Sequence, residues 1–332
     1  MRMKNETVTR VTVHDFSQKI NHQTKVFMLG SCFTEHIADK LERCKYNVLS
    51  NPFGILYNPV SIARAIQRIV DLAFYTEDEI VFHQGLYHSM DHHGRFSSKS
   101  KQEVLDRINT QIESAHDWIK RCALTFISPG TSKVYRYKKT NQIVGNCHKI
   151  PGTEFVYEQL SSVECEKAFE DINTKLKSVA PNCQIIWTVS PVRHLRDGLV
   201  ENQVSKATLL LSIHNDLKKH SDSSYFPAYE IMMDELRDYR YYNRDMMHPS
   251  PLAVDIIWDR FENAFMDDKT RSRHTEIENV RKAMEHRFLH DDSEAMRAFA
   301  QGQLNVINQL EREMNGLDWT KERNYFKEIM KD

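Results

Sequence analysis

The chain predicts an α/β fold built on a parallel sheet, and three features carry that expectation. Short apolar runs, Val26–Leu29 foremost, alternate with stretches whose apolar residues recur at helical spacing. The first run ends in a turn that opens a helix and only then a second strand, the β-turn-α-β order of parallel sheets. With 332 residues, 40% apolar and 27% charged, the chain can bury the core of one large α/β domain with additions, or of two domains.

Residues 7–20 carry Val8, Val11, Val13 and Phe16 and suit an edge strand or an ordered arm. After the strand Val26–Leu29, the residues Phe33, Ile37, Ala38 and Leu41 mark a helix over Thr34–Cys44. Tyr46–Leu49 is a second strand, closed by Asn51-Pro52-Phe53-Gly54. Pro59 opens a helix over Ser61–Phe74, a role that suits proline at a first helical position. Residues 78–100 are irregular and rich in histidine and aromatics. Lys101–Cys122 reads as helix and Ala123–Ser128 as strand. Tyr135–Lys139 and Gln142–Val144, around Thr140-Asn141, read as a β-hairpin, so about 78–150 is an insertion. Ser161–Val179 (helix), Gln184–Val189 (the most apolar strand), Glu201–His220 (helix), Tyr225–Ala228 (strand), Tyr229–Leu236 and Leu252–Phe265 (helices) complete a domain over 1–266. Residues 267–332 are charged and periodic at Ile277, Val280, Ala283 and Phe288, then at Ala298, Leu304, Ile307 and Leu310. They predict a helical C-terminal extension that packs on the domain or serves a homo-oligomer.

Charge narrows the partners. Lys+Arg 45 against Asp+Glu 46 leaves a net charge of -1, with no basic excess for nucleic acid or an anionic membrane. No run approaches the ~20 apolar residues of a membrane span. Met1–Glu6 is polar and leads into no apolar stretch of signal-peptide length. Cys32, Cys44, Cys122, Cys147, Cys165 and Cys183 form no Cys-x-x-Cys pair and read as reduced thiols. A cytoplasmic protein is the expectation.

Two distant segments carry the chemistry. Val26–Leu29 runs into Gly30-Ser31-Cys32-Phe33, which delivers a serine onto a tight turn at a helix start. Free N–H groups there can hold a developing oxyanion. Alone, Ser31 reads first as a helix N-cap, a role serine often fills. Arg244-Asp245-Met246-Met247-His248-Pro249 puts a carboxylate and an imidazole on one local turn, where Asp245 can orient His248. Together the segments supply nucleophile, base and orienter, the parts of a serine hydrolase triad. Cys32 reads as turned inward and packed. His88, His92, His93 and Asp91 match no established zinc spacing, so no metal and no cofactor is expected. His88 and His148 read as substrate-pocket residues.

Leu29-Gly30-Ser31-Cys32-Phe33-Thr34, Asn51-Pro52-Phe53-Gly54-Ile55-Leu56-Tyr57-Asn58-Pro59 and Asp245-Met246-Met247-His248-Pro249-Ser250 resemble the signature blocks of the GSCFA family, within the SGNH or GDSL-like hydrolases. The likeness runs from about Met28 to Phe265. It implies a flavodoxin-like three-layer α/β/α fold and an esterase mechanism through an acyl-enzyme on Ser31. It also implies Asp245 and His248 as the triad partners and Gly54 as an oxyanion-hole glycine beside the Ser31 N–H. The Gly-x-Asn-Asp block common to SGNH enzymes has no asparagine at its equivalent, Pro129-Gly130-Thr131-Ser132-Lys133. Asn146 is the substitute candidate. The implied substrate is a small-molecule or carbohydrate acyl ester. The rival readings are acyl transfer to a carbohydrate or other hydroxyl, and a non-catalytic binding protein on the same fold.

Overall fold

Alternation along the first strand sorts the molecule into layers. In the computed structural model, which describes residues 8–286, 293–314 and 316–331, the strands in chain order are β1 (Lys25–Gly30), β2 (Asn47–Ser50), β3 (Ile80–His83), β4 (Leu86–Ser89), β5 (Leu124–Ser128), β6 (Lys133–Tyr137), β7 (Gln142–Val144), β8 (Phe155–Gln159), β9 (Gln184–Trp187) and β10 (Ser223–Tyr225). The helices are α1 (Cys32–Arg43), α2 (Pro59–Val70), α3 (Lys101–Ile119), α4 (Ser162–Val179), α5 (Leu199–Lys219), α6 (Ala228–Glu230), α7 (Pro251–Phe265), α8 (Asp268–Glu285), α9 (Ser293–Glu313) and α10 (Thr320–Ile329). Phe288 of the expected extension lies outside the described residues.

Phe27 and Leu29 face one side of the sheet and pack with Ile62 and Ile66 of α2, Ile108 of α3, Phe169 of α4 and Leu209 of α5. Val26 and Met28 face the other side, against Phe33 and Ile37 of α1 and Ile257, Phe261 and Phe265 of α7. Each such apolar side chain contributes ~1.5–3 kcal/mol by leaving water. Strands covered on both faces read as continuous apolar runs, which is why β1 and β9 stand out in the sequence. The sheet order is β2-β1-β5-β9-β10, with every pairing parallel. This is the doubly wound, flavodoxin-like order, and its reversal falls at β1. The three-layer α/β/α fold is therefore present.

Several elements differ from expectation. Residues 78–100 contain an antiparallel hairpin, β3–β4, turned by Gln84 and Gly85 with positive φ of 47° and 79°. The expected hairpin gains a third strand: β7-β6-β8 form a small antiparallel sheet. The N-terminal segment is an arm, not a strand. Its Phe16 and Ile20 N–H groups donate to the Ala264 and Phe265 carbonyls at 3.2 and 2.7 Å. The strand expected at Tyr225–Ala228 ends at Tyr225, before Pro227, which has no N–H for a ladder. Beyond it, Tyr229–Leu236 is one helical turn followed by a π-helical turn over Ile231–Glu235.

The extension forms α8, α9 and α10 around its own core of Ile277, Val280, Leu304, Ile307, Leu310, Trp319 and Phe326. It docks where α1 meets β2. The Lys45 ammonium pairs with Glu322 at 2.8 Å and lies over the Trp319 ring, while the Cys44 thiol meets His274 Nε2 at 2.9 Å. Among the described residues, no helix is long and apolar enough to cross a membrane.

Candidate active site

A cavity of about 390 Å³ opens at the carboxyl ends of the strands. Its wall takes Cys32 from the end of β1, Tyr57 and Asn58 from the loop after β2, Thr131 after β5 and Val192–Asp197 after β9. Tyr135, Asn146, Cys147 and Tyr157 of the insertion and its connecting loop close one side, and Met247 and His248 another. A crevice at the reversal of sheet order is where ligands enter open α/β folds. A roomier hollow of about 750 Å³ lies at the docked extension, around Tyr46 and Lys321, but among the described residues no serine or cysteine lines it.

The loop before α7 builds the base. Tyr242 bridges Pro249, the Asn243 N–H donates to the His248 carbonyl at 2.8 Å, and Met246 takes a positive φ of 57°. Asp245 Oδ1 accepts the N–H groups of Met247 and His248 at 2.9 and 3.0 Å, and Oδ2 accepts His248 Nδ1–H at 2.7 Å. The N–H groups of His248 and Met247, followed by the imidazole itself, hold the Asp245 carboxyl down at about 2. The carboxylate thus stays charged at neutral pH and fixes the tautomer in which Nε2 is the free acceptor. The Arg193 N–H ties this loop to the end of β9 through the Met247 carbonyl at 3.1 Å, and the Arg193 guanidinium lies over Tyr242 at 4.1 Å.

Ser31 is not brought to the cavity wall. It still follows the strand: its N–H donates to the Ser128 carbonyl at 3.0 Å, its hydroxyl lies 3.3 Å from the Ser128 hydroxyl, and it is 1% exposed. Cys32, the first residue of α1, is the first side chain to reach the crevice. It is half-buried, packing in part on the core and in part lining the cavity, where the sequence reading had it wholly inward. Gly54 is also off the wall; its N–H closes a turn onto the Asn51 carbonyl at 2.7 Å. The Asn-Pro-Phe-Gly block braces the end of β1 instead. Asn51 Oδ1 accepts the Gly30 N–H at 2.8 Å, and the Leu56 N–H donates to the Gly30 carbonyl at 2.9 Å. Asn146 does reach the wall; its Oδ1 accepts the His148 N–H at 2.9 Å, so the NH2 group remains to donate.

His88 and His148 correct the expectation of a substrate-binding pair. Their rings stack at 4.4 Å, His148 Nε2 bonds the Ser89 carbonyl at 2.7 Å, and His88 Nδ1 meets the Ser97 hydroxyl at 2.7 Å. Both are buried and lie off the cavity wall, pinning the β3–β4 hairpin to the loop after β7. His92 stacks on Phe53 at 4.1 Å, while Asp91 pairs with Arg64 at 2.7 Å and accepts from the Tyr75 hydroxyl at 2.9 Å. Among the described residues, possible metal donors gather elsewhere, as Cys44, His274 and Glu278 and as Glu170, Asp216 and His220; no member of either group lines the cavity.

Two groups escaped the sequence reading. His194 Nε2 is buried without a hydrogen bond, and the ring stands edge-on to Tyr57 at 5.6 Å. Burial, helped by Lys206 and His248, pushes its pKa down to about 3, so it is neutral. Lys206 is fully buried on the inward face of α5 and donates to the Ser190 carbonyl at 2.6 Å. Burial lowers its pKa to about 7, against a small upward pull from Cys32. The available signals were position after the most apolar strand for His194, and a lysine on an apolar helix face for Lys206.

Lys206 makes a stability prediction. Between about pH 7 and 10.5 the unfolded chain holds the lysine proton that the folded chain has released, so wild-type stability rises with pH there. Lys206→Met is expected to be ~1–4 kcal/mol more stable than wild type at pH 6 and to lose that rise. Urea unfolding at pH 6 and pH 9 checks both; a variant less stable at pH 6 contradicts the prediction.

The profile of the GSCFA family matches residues 25–261, and that of the GSCFA domain protein, C-terminal domain, matches residues 277–332. A comparison with curated proteins finds no match. Among solved structures, the chain is similar to a carbohydrate esterase family 3 from Talaromyces cellulolyticus, with 8% identity, 77% of this chain and 99% of that chain covered, and a TM-score of 0.36. It is also similar to an acetyl xylan esterase (Est2A) from the rumen bacterium Butyrivibrio proteoclasticus, with 11% identity, 77% of this chain and 65% of that chain covered, and a TM-score of 0.36. The sheet order, not these likenesses, establishes the fold. The family match spans most of the chain and includes β1, the Asn51–Pro59 block and the Asp245–His248 loop: the chain belongs to the GSCFA family.

Proposed function

We propose that the protein hydrolyses acyl esters through a covalent acyl-enzyme formed in the crevice at the end of β1. The observation that carries this reading is the Asp245–His248 pair, joined at 2.7 Å, on a cavity wall that also presents the start of α1. A nucleophile from the Gly30-Ser31-Cys32 turn attacks the acyl carbonyl, and His248 takes its proton and returns it to the leaving alcohol. Asp245 holds the imidazole and stabilises its protonated form. The first N–H groups of α1 and the Asn146 NH2 are the donors available to the developing oxyanion.

The triad expected from the sequence puts the acyl group on Ser31, and the burial of that hydroxyl is what a non-catalytic protein on this fold would show. Cys32 on the wall that holds His248 favours catalysis. Tyr57 and Tyr135 on the same wall favour a carbohydrate-borne acyl group, since sugar faces stack on aromatic rings. The test compares wild type with His248→Ala and Asp245→Asn on a short-chain aryl ester and on acetylated sugars. Turnover above the buffer rate in wild type, lost in both variants, is the expected result. Equal rates in all three proteins, or none in wild type on any acyl ester, would remove the reading.

A further inference from the structure

The wall of the crevice carries more positive than negative charge. Lys133, Arg193 and Arg196 line it, and among the described residues Asp197 is the one carboxylate that does, with the Tyr157 hydroxyl donating to it. Lys133 is neutralised from outside the wall by Glu201, at 3.2 Å. Arg193 and Arg196 have no carboxylate within ion-pair distance among the described residues. Their guanidiniums rest on aromatic rings instead, Arg193 4.1 Å from the centre of Tyr242 and Arg196 5.8 Å from that of Tyr135. The chain as a whole has a net charge of -1, so this excess is local. We propose that the crevice takes an acylated sugar that bears an anionic group, a carboxylate or a phosphate, held by Arg193 and Arg196.

The proposal rests on the ester-hydrolase reading above and names the substrate class for that site. Both arginines lie on the connection between β9 and α5. Arg193 stands on the side of the Asp245–His248 loop, to which its N–H is bonded through the Met247 carbonyl, and Arg196 on the side of the antiparallel insertion. There Tyr135 stacks on Tyr157 at 4.5 Å, an aromatic ledge beside the guanidinium. A guanidinium resting on a ring is held in place yet keeps in-plane N–H groups, and their fork matches two oxygens of a carboxylate or phosphate. In a recess that partly excludes water, such a bond is stronger than on an open surface. A neutral sugar would cover the same guanidiniums and leave them without a partner, which costs affinity. The volume of about 390 Å³ lies near the lower end of small-ligand cavities, ~300–1,000 Å³, and so suits a small sugar derivative.

Binding and turnover test this separately. Calorimetric titration of the full chain with glucuronate, glucose 6-phosphate and glucose involves no reaction. At least one of the anions is expected to bind about tenfold or more tightly than glucose, and to weaken as salt is raised. That preference over glucose is expected to fall about tenfold in Arg196→Gln and in Arg193→Gln. Tighter binding of glucuronate assigns a uronic acid, and of glucose 6-phosphate a phosphorylated sugar; equal affinity for both sustains the shared anion site, and a loss in one variant alone assigns the anion to that arginine. Glucose bound as tightly as both anions, no binding of either anion, or a preference unchanged in both variants overturns the proposal. In turnover, the acetate ester of the preferred anionic sugar is expected to exceed the same ester of glucose about tenfold or more in kcat/KM, mostly through KM. Anion binding without cleavage of either ester sustains the anion site and removes the ester-hydrolase reading. Equal kcat/KM on both esters sustains that reading and overturns the proposal.

Discussion

Replacing His248 with alanine is expected to lower kcat/KM for ester cleavage by about 10²–10⁴-fold, the usual worth of a positioned general base. The loss should fall on kcat, because proton transfer occurs on the way to the transition state, not in ground-state binding. Folding should survive, since His248 stands in a partly exposed loop whose bridge between Tyr242 and Pro249 is made by backbone. Asp245→Asn is expected to be close behind. An asparagine can offer its NH2 to Nδ1 and so stabilise the wrong tautomer, with Nε2 carrying the proton and unable to accept one. The acid limb of the pH–rate profile should not report Asp245, because its carboxyl, held at about 2, stays ionised above that pH as long as the fold persists. Steady-state kinetics from pH 4 to 9, with circular dichroism of each variant, checks these statements together. A His248→Ala enzyme within threefold of wild type would contradict them.

The second large effect concerns the fold. Gly30→Ala is expected to cost about 4 kcal/mol or more, at the upper end for single substitutions. Gly30 has a φ of +149°, and a Cβ there would meet the Ser128 carbonyl oxygen at 2.3 Å and the Ser128 carbonyl carbon at 2.8 Å. These are backbone atoms of the neighbouring strand. They cannot swing aside without breaking the β1–β5 ladder, in which Gly30 pairs with Ser128 and the Ser31 N–H bonds the same carbonyl. Gly152→Ala is the control: nothing lies within 4 Å of its Cβ position, and its change should stay within about 0.5 kcal/mol. Equilibrium denaturation of the two variants gives the comparison, and a Gly30→Ala protein as stable as Gly152→Ala would refute the clash.

The parallel sheet was legible in the sequence because burial on both faces leaves uninterrupted apolar runs, and the amphipathic helices between them have strong 3.6-residue periods. What stayed hidden has physical reasons. The β3–β4 hairpin turns on Gln84-Gly85, and its strands mix Phe82 and Tyr87 with His83 and His88, so no alternation marks it. β8 buries Phe155 alone and leaves Val156 and Tyr157 exposed, so no apolar alternation marks it in the sequence. At the site, the Asp245–His248 pair was readable because it is local, three residues apart on one turn. The burial of Ser31 was not. It depends on whether the chain follows the strand for one residue beyond Gly30, which the Ser31–Ser128 backbone bond decides. The distant histidines misled for the opposite reason: His88 and His148 find their partners in each other and in nearby carbonyls and hydroxyls, not in an open cleft.

The seating of the C-terminal helices has a mechanical consequence. α1 begins at Cys32 beside the crevice and finishes at Arg43, next to the Cys44 and Lys45 contacts that anchor α8 and α10. Its 12 residues make a rod of ~18 Å, and rods transmit tilt. The last fifth of the polypeptide thereby bears on the angle at which the front end of α1 meets a crevice that none of its own described residues lines.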